Sequence, residues 1–241
     1  MRRYCAVLIG MVLAGFPGTR AVPAEMVGAM EFSSQRGAFL ARGMGARAAG
    51  MGDAFTAIAD DPSGVSWNPA GAGQIKAPQA VAAGEYASHG LGITYVAGAT
   101  PLGIGTVGAG LALCDYGEYE VRDYTGFKSG TDSIRDVAGG ASYAMRVPMV
   151  PGGMAGVALE VVREGIGSTL GGLSFGGLLV WEDGTSLGLS VLHLGPRVGG
   201  YSMPTEARFG FAGLPLPELR LAVDTSYRMV DKDVRGMVGC E

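Results

Sequence analysis

The stretch GLGITYVAGATPLGIGTVGAGLALC, residues 90–114, carries no charge and is long enough to cross a bilayer as a helix. Whether it is one helix or two strands decides the fold. Glycine recurs about every third or fourth residue and Pro101 sits in the middle. Each interior glycine costs a helix about 1 kcal/mol relative to alanine, which argues against a helix. Read with a period of two, Leu91, Ile93, Tyr95, Ala97 and Ala99 share one face, while Gly92, Thr94 and Gly98 share the other. After the turn signal Thr100-Pro101-Leu102-Gly103, the residues Val107, Ala109, Leu111 and Leu113 alternate with Thr106, Gly108, Gly110 and Ala112. The segment predicts a β-hairpin with one apolar side.

The same rhythm continues outward to the end of the chain. Val157, Leu159 and Val161 oppose Gly156, Ala158 and Glu160; Leu173, Phe175, Leu179 and Trp181 oppose Ser174 and Gly176. Beyond the turn Glu182-Asp183-Gly184-Thr185, Leu187, Leu189 and Val191 oppose Ser186, Gly188 and Ser190. The last clear case sets Leu219, Leu221, Val223, Tyr227 and Met229 against Glu218, Arg220, Asp224, Ser226 and Arg228. Strands of about ten residues with an oily face and a small or polar face suit a transmembrane barrel, whose wall meets lipid on one side and lumen on the other.

The links between strands point the same way. Residues 115–134, 165–171 and 195–204 read as longer links rich in glycine, tyrosine and charge, and they alternate with short links at 100–103, 148–152, 182–185 and 214–217. An up-and-down barrel with short turns at one rim and larger loops at the other needs this order. Links near 88–90 and 230–233 are short where long ones are expected. The pattern predicts an all-β fold, a transmembrane antiparallel up-and-down barrel with about ten strands present over residues 79–241.

Composition narrows the classes of function. The chain has 241 residues, 43 glycines, a net charge of -4 and a pI near 5.3. That balance argues against a nucleic-acid partner held through phosphates. Arg2 and Arg3, an apolar run from Cys5 to Phe16 and small residues at Val22 and Ala24 predict a signal peptide over residues 1–24. Two cysteines, Cys114 and Cys240, then remain, enough for one bridge or none.

Residues 25–78 precede the first strand and contain GMGDAFTAIADDPSGVSWNPAGAG, residues 50–73, with the only asparagine of the chain. Ala48, Met51, Phe55 and Ile58 fall at helical spacing, and Asp61-Pro62-Ser63-Gly64 halts the helix. Irregular backbone at membrane depth must be surrounded by protein or water, so this segment is expected to fill the barrel or its mouth as a hatch. Phe55, Asp60, Asp61, Trp67, Asn68 and Pro69 are the candidate hatch or ligand-binding residues. Asn68-Pro69 would fix a turn, Trp67 would pack on the inner wall, and Asp60-Asp61 reads as turn and cap rather than an acid pair.

The run GARAAGMGDAFTAIADDPSGVSWNPAGAG, residues 45–73, resembles the N-terminal signature of the PorV/PorQ family of outer-membrane proteins. That family shares a barrel superfamily with the FadL-type transporters of long-chain fatty acids. GTSLGLSVLHLGP, residues 184–196, and MPTEARFGFAG, residues 203–213, resemble later strands of the family, with His193 where an asparagine is usual. The resemblance implies a barrel of about fourteen strands with the Asn68-Pro69-Ala70 turn inside it. The chain ends within an apparent strand and without a terminal aromatic residue, which predicts a truncated barrel; a smaller closed one is the alternative.

Catalytic motifs do not survive this context. Residues 172–176 and 184–188 match G-x-S-x-G, but that motif needs a strand, a sharp turn and a helix, whereas Ser174 and Ser186 fall inside strands. Residues 103–108 match a dinucleotide fingerprint without any βαβ context. The histidines His89 and His193 with scattered carboxylates make no metal set. The sequence predicts a non-enzymatic protein of the outer membrane, without cofactor or metal. Its expected partners are lipid and either hydrophobic small molecules passing the barrel or, as in PorV, cargo and machinery of type IX secretion.

Overall fold

A computed structural model of the chain describes residues 37–86, 91–165, 167–198 and 201–241. The expected signal peptide, the first part of the hatch and His89 lie outside these residues. The fold is all-β. Ten strands follow one another: β1 (Gln79–Tyr86), β2 (Gly92–Leu102), β3 (Gly105–Arg122), β4 (Lys128–Arg146), β5 (Gly153–Arg163), β6 (Thr169–Val180), β7 (Ser186–Leu194), β8 (Glu206–Leu216), β9 (Leu219–Arg228) and β10 (Asp233–Cys240). Each pairs antiparallel with the next, in sequence order, within a single sheet. Among the described residues no ladder joins β1 to β10, so the ladders form an open sheet.

The two-residue rhythm sorts side chains to two faces. On β3, β5, β6, β7 and β8 the face bearing Leu111, Leu159, Phe175, Leu189 and Phe209 is exposed, and the face bearing Ala112, Ala158, Ser174, Ser190 and Arg208 is buried. β2 departs from the expectation that the oilier face looks outward. Ile93, Tyr95, Ala97 and Ala99 are buried, and Thr94 and Val96 are exposed. The reason lies in what β2 faces: Phe39, Leu40 and Met44 of the hatch demand apolar neighbours there.

Residues 115–134 also differ from the expected loop. β3 and β4 continue as a ladder from Glu118–Ser133 to Arg122–Lys128 and reverse only at residues 123–127. A bulge between Asp115 and Glu118 admits the extra residue. Neighbouring strands stop short, since β2 pairs with β3 no further than Asp115 and β5 with β4 no further than Val137. The result is a two-stranded ribbon standing beyond the sheet.

The hatch is mostly turns. The helix expected over residues 48–58 shrinks to α1 (Ala46–Gly50), because Gly52 and Asp53 adopt positive φ of 57° and 67° and break the helical path. Ala48, Met51, Phe55 and Ile58 still enter one buried cluster. Two 3-10 turns follow, Pro62–Ser66 and Pro69–Gln74, each with proline at the start. Asp61 caps the first by accepting the Ser63 N–H at 2.8 Å, and Asn68 caps the second by accepting the Ala70 N–H at 3.1 Å.

This segment makes contact from Val81 on β1 to Gly239 on β10. Ten flat strands at about 4.8 Å spacing would extend roughly 43 Å. One short segment reaches all of them only because the sheet curls around it with its buried face inward.

Candidate functional site

The interface between hatch and wall concentrates the buried polar chemistry of the molecule. Trp67 is 1% exposed, and its indole N–H donates to the Met44 carbonyl at 2.8 Å. The Arg208 guanidinium lies 4.6 Å from the ring centroid on one side, and Phe55 meets the ring edge-on at 6.3 Å. Its carbonyl accepts from Ser190 Oγ on β7 at 2.8 Å. Asn68 Nδ2 donates to the carbonyls of Thr56 and Gly177 at 2.9 and 3.0 Å, tying two parts of the hatch to β6.

Close approach of backbone to wall requires glycine at specific strand positions. A Cβ on Gly176 would lie 2.0 Å from Asn68 Oδ1, and one on Gly188 would lie 2.2 Å from the Thr56 carbonyl oxygen. Gly176 pairs across the ladder with Gly156, against which Pro69 rests, and Gly188 pairs with Gly210. Four strands thus offer a bare strip on which the hatch lies. These small residues leave the room along the wall that the hatch fills.

Beside this strip runs a polar ladder on β8 and β9. Glu206 faces Arg228, Arg208 faces Ser226, and Gly210 faces Asp224. Asp224 Oδ2 accepts the Thr56 N–H at 2.8 Å, and Arg228 Nη2 donates to the Ala41 carbonyl at 3.2 Å. Ser186 Oγ donates to the Ala57 carbonyl at 2.7 Å.

The acidic pair sits elsewhere, at the rim that carries the short turns. Asp60 bonds Arg47, and accepts from Arg220 at 3.2 Å. Arg47 also makes a two-bonded contact to Glu241 at 2.6 and 2.7 Å. Burial by itself would raise the Asp60 carboxyl, but bonds and charge from Arg47 and Arg220 outweigh it and hold the group below its ordinary value. Burial raises the Asp53 carboxyl, with Arg208 opposing.

Of the residues singled out in the sequence, Phe55, Trp67, Asn68 and Pro69 come together in one buried docking point, while Asp60 joins the rim network and Asp61 serves as a cap. Thr56, Arg47, Arg208 and Asp224 were not singled out in the sequence. Arg208 and Asp224 carried a usable signal, a charge on the inner face of a strand whose outer face is oily.

A second cluster lies on β5, β6 and β7. Glu160 holds His193 Nδ1 at 2.5 Å and accepts the Ser174 hydroxyl at 2.9 Å, and Ser174 Oγ accepts the His193 backbone N–H at 2.9 Å. His193 adopts φ 56° where β7 bulges. The serine hydroxyl points to the carboxylate rather than to the imidazole, and is fully buried. That geometry is not the serine–histidine relay of a hydrolase.

Among the described residues no group of three or more His, Cys, Asp or Glu side chains comes together to hold a metal. Cys114 is buried and Cys240 exposed, both as free thiols. The arrangement binds a segment of its own chain and leaves polar groups facing the space around it. No protein-family model and no curated protein matches this chain.

Proposed function

We propose that this sheet and its hatch belong to an outer-membrane β-barrel protein of the PorV/PorQ kind, which handles or passes hydrophobic molecules without chemistry. One observation carries the reading: the outer face of β5 to β8 is apolar, while charged side chains are buried on the inner face of β8 and β9. Leu159, Leu189 and Phe209 are 62%, 58% and 49% exposed, whereas Glu206, Arg208 and Asp224 are 2%, 5% and 0% exposed. The outer residues form continuous cross-strand rows, as in Val157–Phe175–Val191–Ala207–Tyr227 over five strands. A water-soluble monomer rarely leaves so large an apolar surface bare, while acyl chains cover it at no cost. Closure of the sheet and export by the expected signal peptide are parts of this proposal.

A second reading rests on the β3–β4 ribbon, where Tyr124 is 101% and Phe127 76% exposed. Aromatic side chains held beyond the sheet suit a role in type IX secretion, receiving cargo proteins at the outer surface. A deletion strain separates the two. Lost uptake of hydrophobic compounds with normal secretion supports the first, and lost surface proteins with normal uptake supports the second. Recovery of the protein in the aqueous fraction without detergent would end both.

A further inference from the structure

A cavity of about 50 Å³ lies between the hatch and the inner faces of β2 to β5. Leu40 and Met44 close it from the hatch, and Ala112, Ala138 and Gly140 form much of its wall. Besides Ser66 of the hatch, two hydroxyls of the wall stand in this largely apolar lining. Tyr95 and Ser142 are 5% and 7% exposed, and neither Tyr95 Oη nor Ser142 Oγ has a hydrogen-bond partner. Ser66 of the hatch stands beside Tyr95 Oη but outside bonding geometry.

β3 makes way for both groups. A Cβ on Gly108 would lie 2.7 Å from Ser142 Oγ, and one on Gly110 would lie 3.1 Å from Tyr95 Oη. The two side chains therefore lean from β2 and β4 over a strip of bare backbone. Glu160 and His193 border the same space, bonded to one another at 2.5 Å. Buried polar groups without partners cost about 1–3 kcal/mol each, so a hydroxyl pair in this position calls for a complementary guest.

We infer that the cavity receives the uncharged hydrogen-bonding end of a small amphiphile, an alcohol or an amide, in preference to a carboxylate. This rests on the proposed handling of hydrophobic ligands and names the kind of ligand. Size sets the first limit. A cavity of about 150 Å³ admits the six carbons of benzene, so one a third as large holds about two or three non-hydrogen atoms, a head group and no more. Charge sets the second. A carboxylate would be brought beside the Glu160 carboxylate in a poorly solvated space, where like charges repel strongly. An ammonium would have to compete with His193 for that same carboxylate. A neutral donor-acceptor satisfies Tyr95 and Ser142 without disturbing the pair. The ligand tail would run past Leu40 and Met44, whose side chains are flexible enough to repack.

The test uses the full chain in detergent micelles, with 1-butanol, butyrate and butylammonium as probes followed by saturation-transfer NMR, and N-phenyl-1-naphthylamine as an apolar dye without a head group. Butanol is expected to bind at least about 5-fold more tightly than either ion, and Ser142→Ala and Tyr95→Phe are each expected to weaken it about 5-fold while leaving dye binding unchanged. Dye binding with no preference for butanol, or with butyrate preferred, overturns the inference and leaves the ligand-handling role standing. Failure of dye and alcohol alike removes both. The selectivity of the unaltered protein decides the matter even where a variant does not fold.

Discussion

The hatch meets its wall in two different ways. Toward β2, β3 and β4 the contact is apolar: Phe39, Leu40 and Met44 pack with Ile93, Ala97, Cys114 and Ala138. Toward β7, β8 and β9 it is close and polar, with backbone laid over Gly188 and Gly210 and held by Ser186, Ser190 and Asp224. The first kind of contact is non-directional and tolerates gaps, and the cavity is found there. The second fixes position, because a hydrogen bond loses its value within a fraction of an ångström of misplacement. One side of the hatch is thus anchored and the other is left able to give way.

Trp67 belongs to both sides, since it bonds Met44 and stacks with Arg208. Trp67→Ala should therefore cost the most, about 3–5 kcal/mol of hatch docking. Hydrogen exchange in detergent micelles would show residues 51–75 losing protection, and retained protection would mean that the two sides are independent. Next comes added bulk on the anchored side. Gly188→Val should cost about 3 kcal/mol, because its Cβ would meet the Thr56 carbonyl, while Ala112→Val beside the cavity should cost less than about 1 kcal/mol. Denaturation midpoints of the two variants measure the contrast directly, and equal losses would erase it.

Asp224→Ala removes the acceptor of the Thr56 N–H in a fully buried place. The expected loss is about 1–3 kcal/mol, seen as faster proteolysis of the hatch at unchanged strand content by circular dichroism. The smallest effect belongs to the exposed rim. Asp60 is held below its ordinary 3.8, so the folded state binds that proton more weakly than the unfolded chain does. Its contribution is then complete above the unfolded value and fades as pH falls through the depressed one. Between about pH 4 and pH 2 the unaltered protein should lose at most about 1 kcal/mol that Asp60→Asn does not lose, given how little half-exposed ion pairs contribute. A stability curve that instead rises on acidification in this range would contradict the sign.

Much of the sheet was legible because a strand writes its environment into alternate residues. The outer faces at Val157–Leu159–Val161 and Leu187–Leu189–Val191 needed nothing beyond a period of two. Turn chemistry was equally local: Asp61-Pro62 and Asn68-Pro69 act as caps where the sequence placed turns. β2 misled because its oily face serves the hatch, and its alternation is identical whichever way it looks. The β3–β4 ribbon misled because its charges and tyrosines read as loop, although Glu120 with Arg122 and Lys128 supports a ladder in water.

By itself the sequence determined that this chain alternates, turns and pairs with its immediate neighbours, since those properties depend on residues a few positions apart. Only the tertiary structure decided that Gly52 lies on β10, that Thr56 finds Asp224, and that Tyr95 and Ser142 converge over bare glycine. Such meetings join residues far apart in the chain. They follow from how a curled sheet wraps one segment, and no local pattern of side chains specifies that curvature.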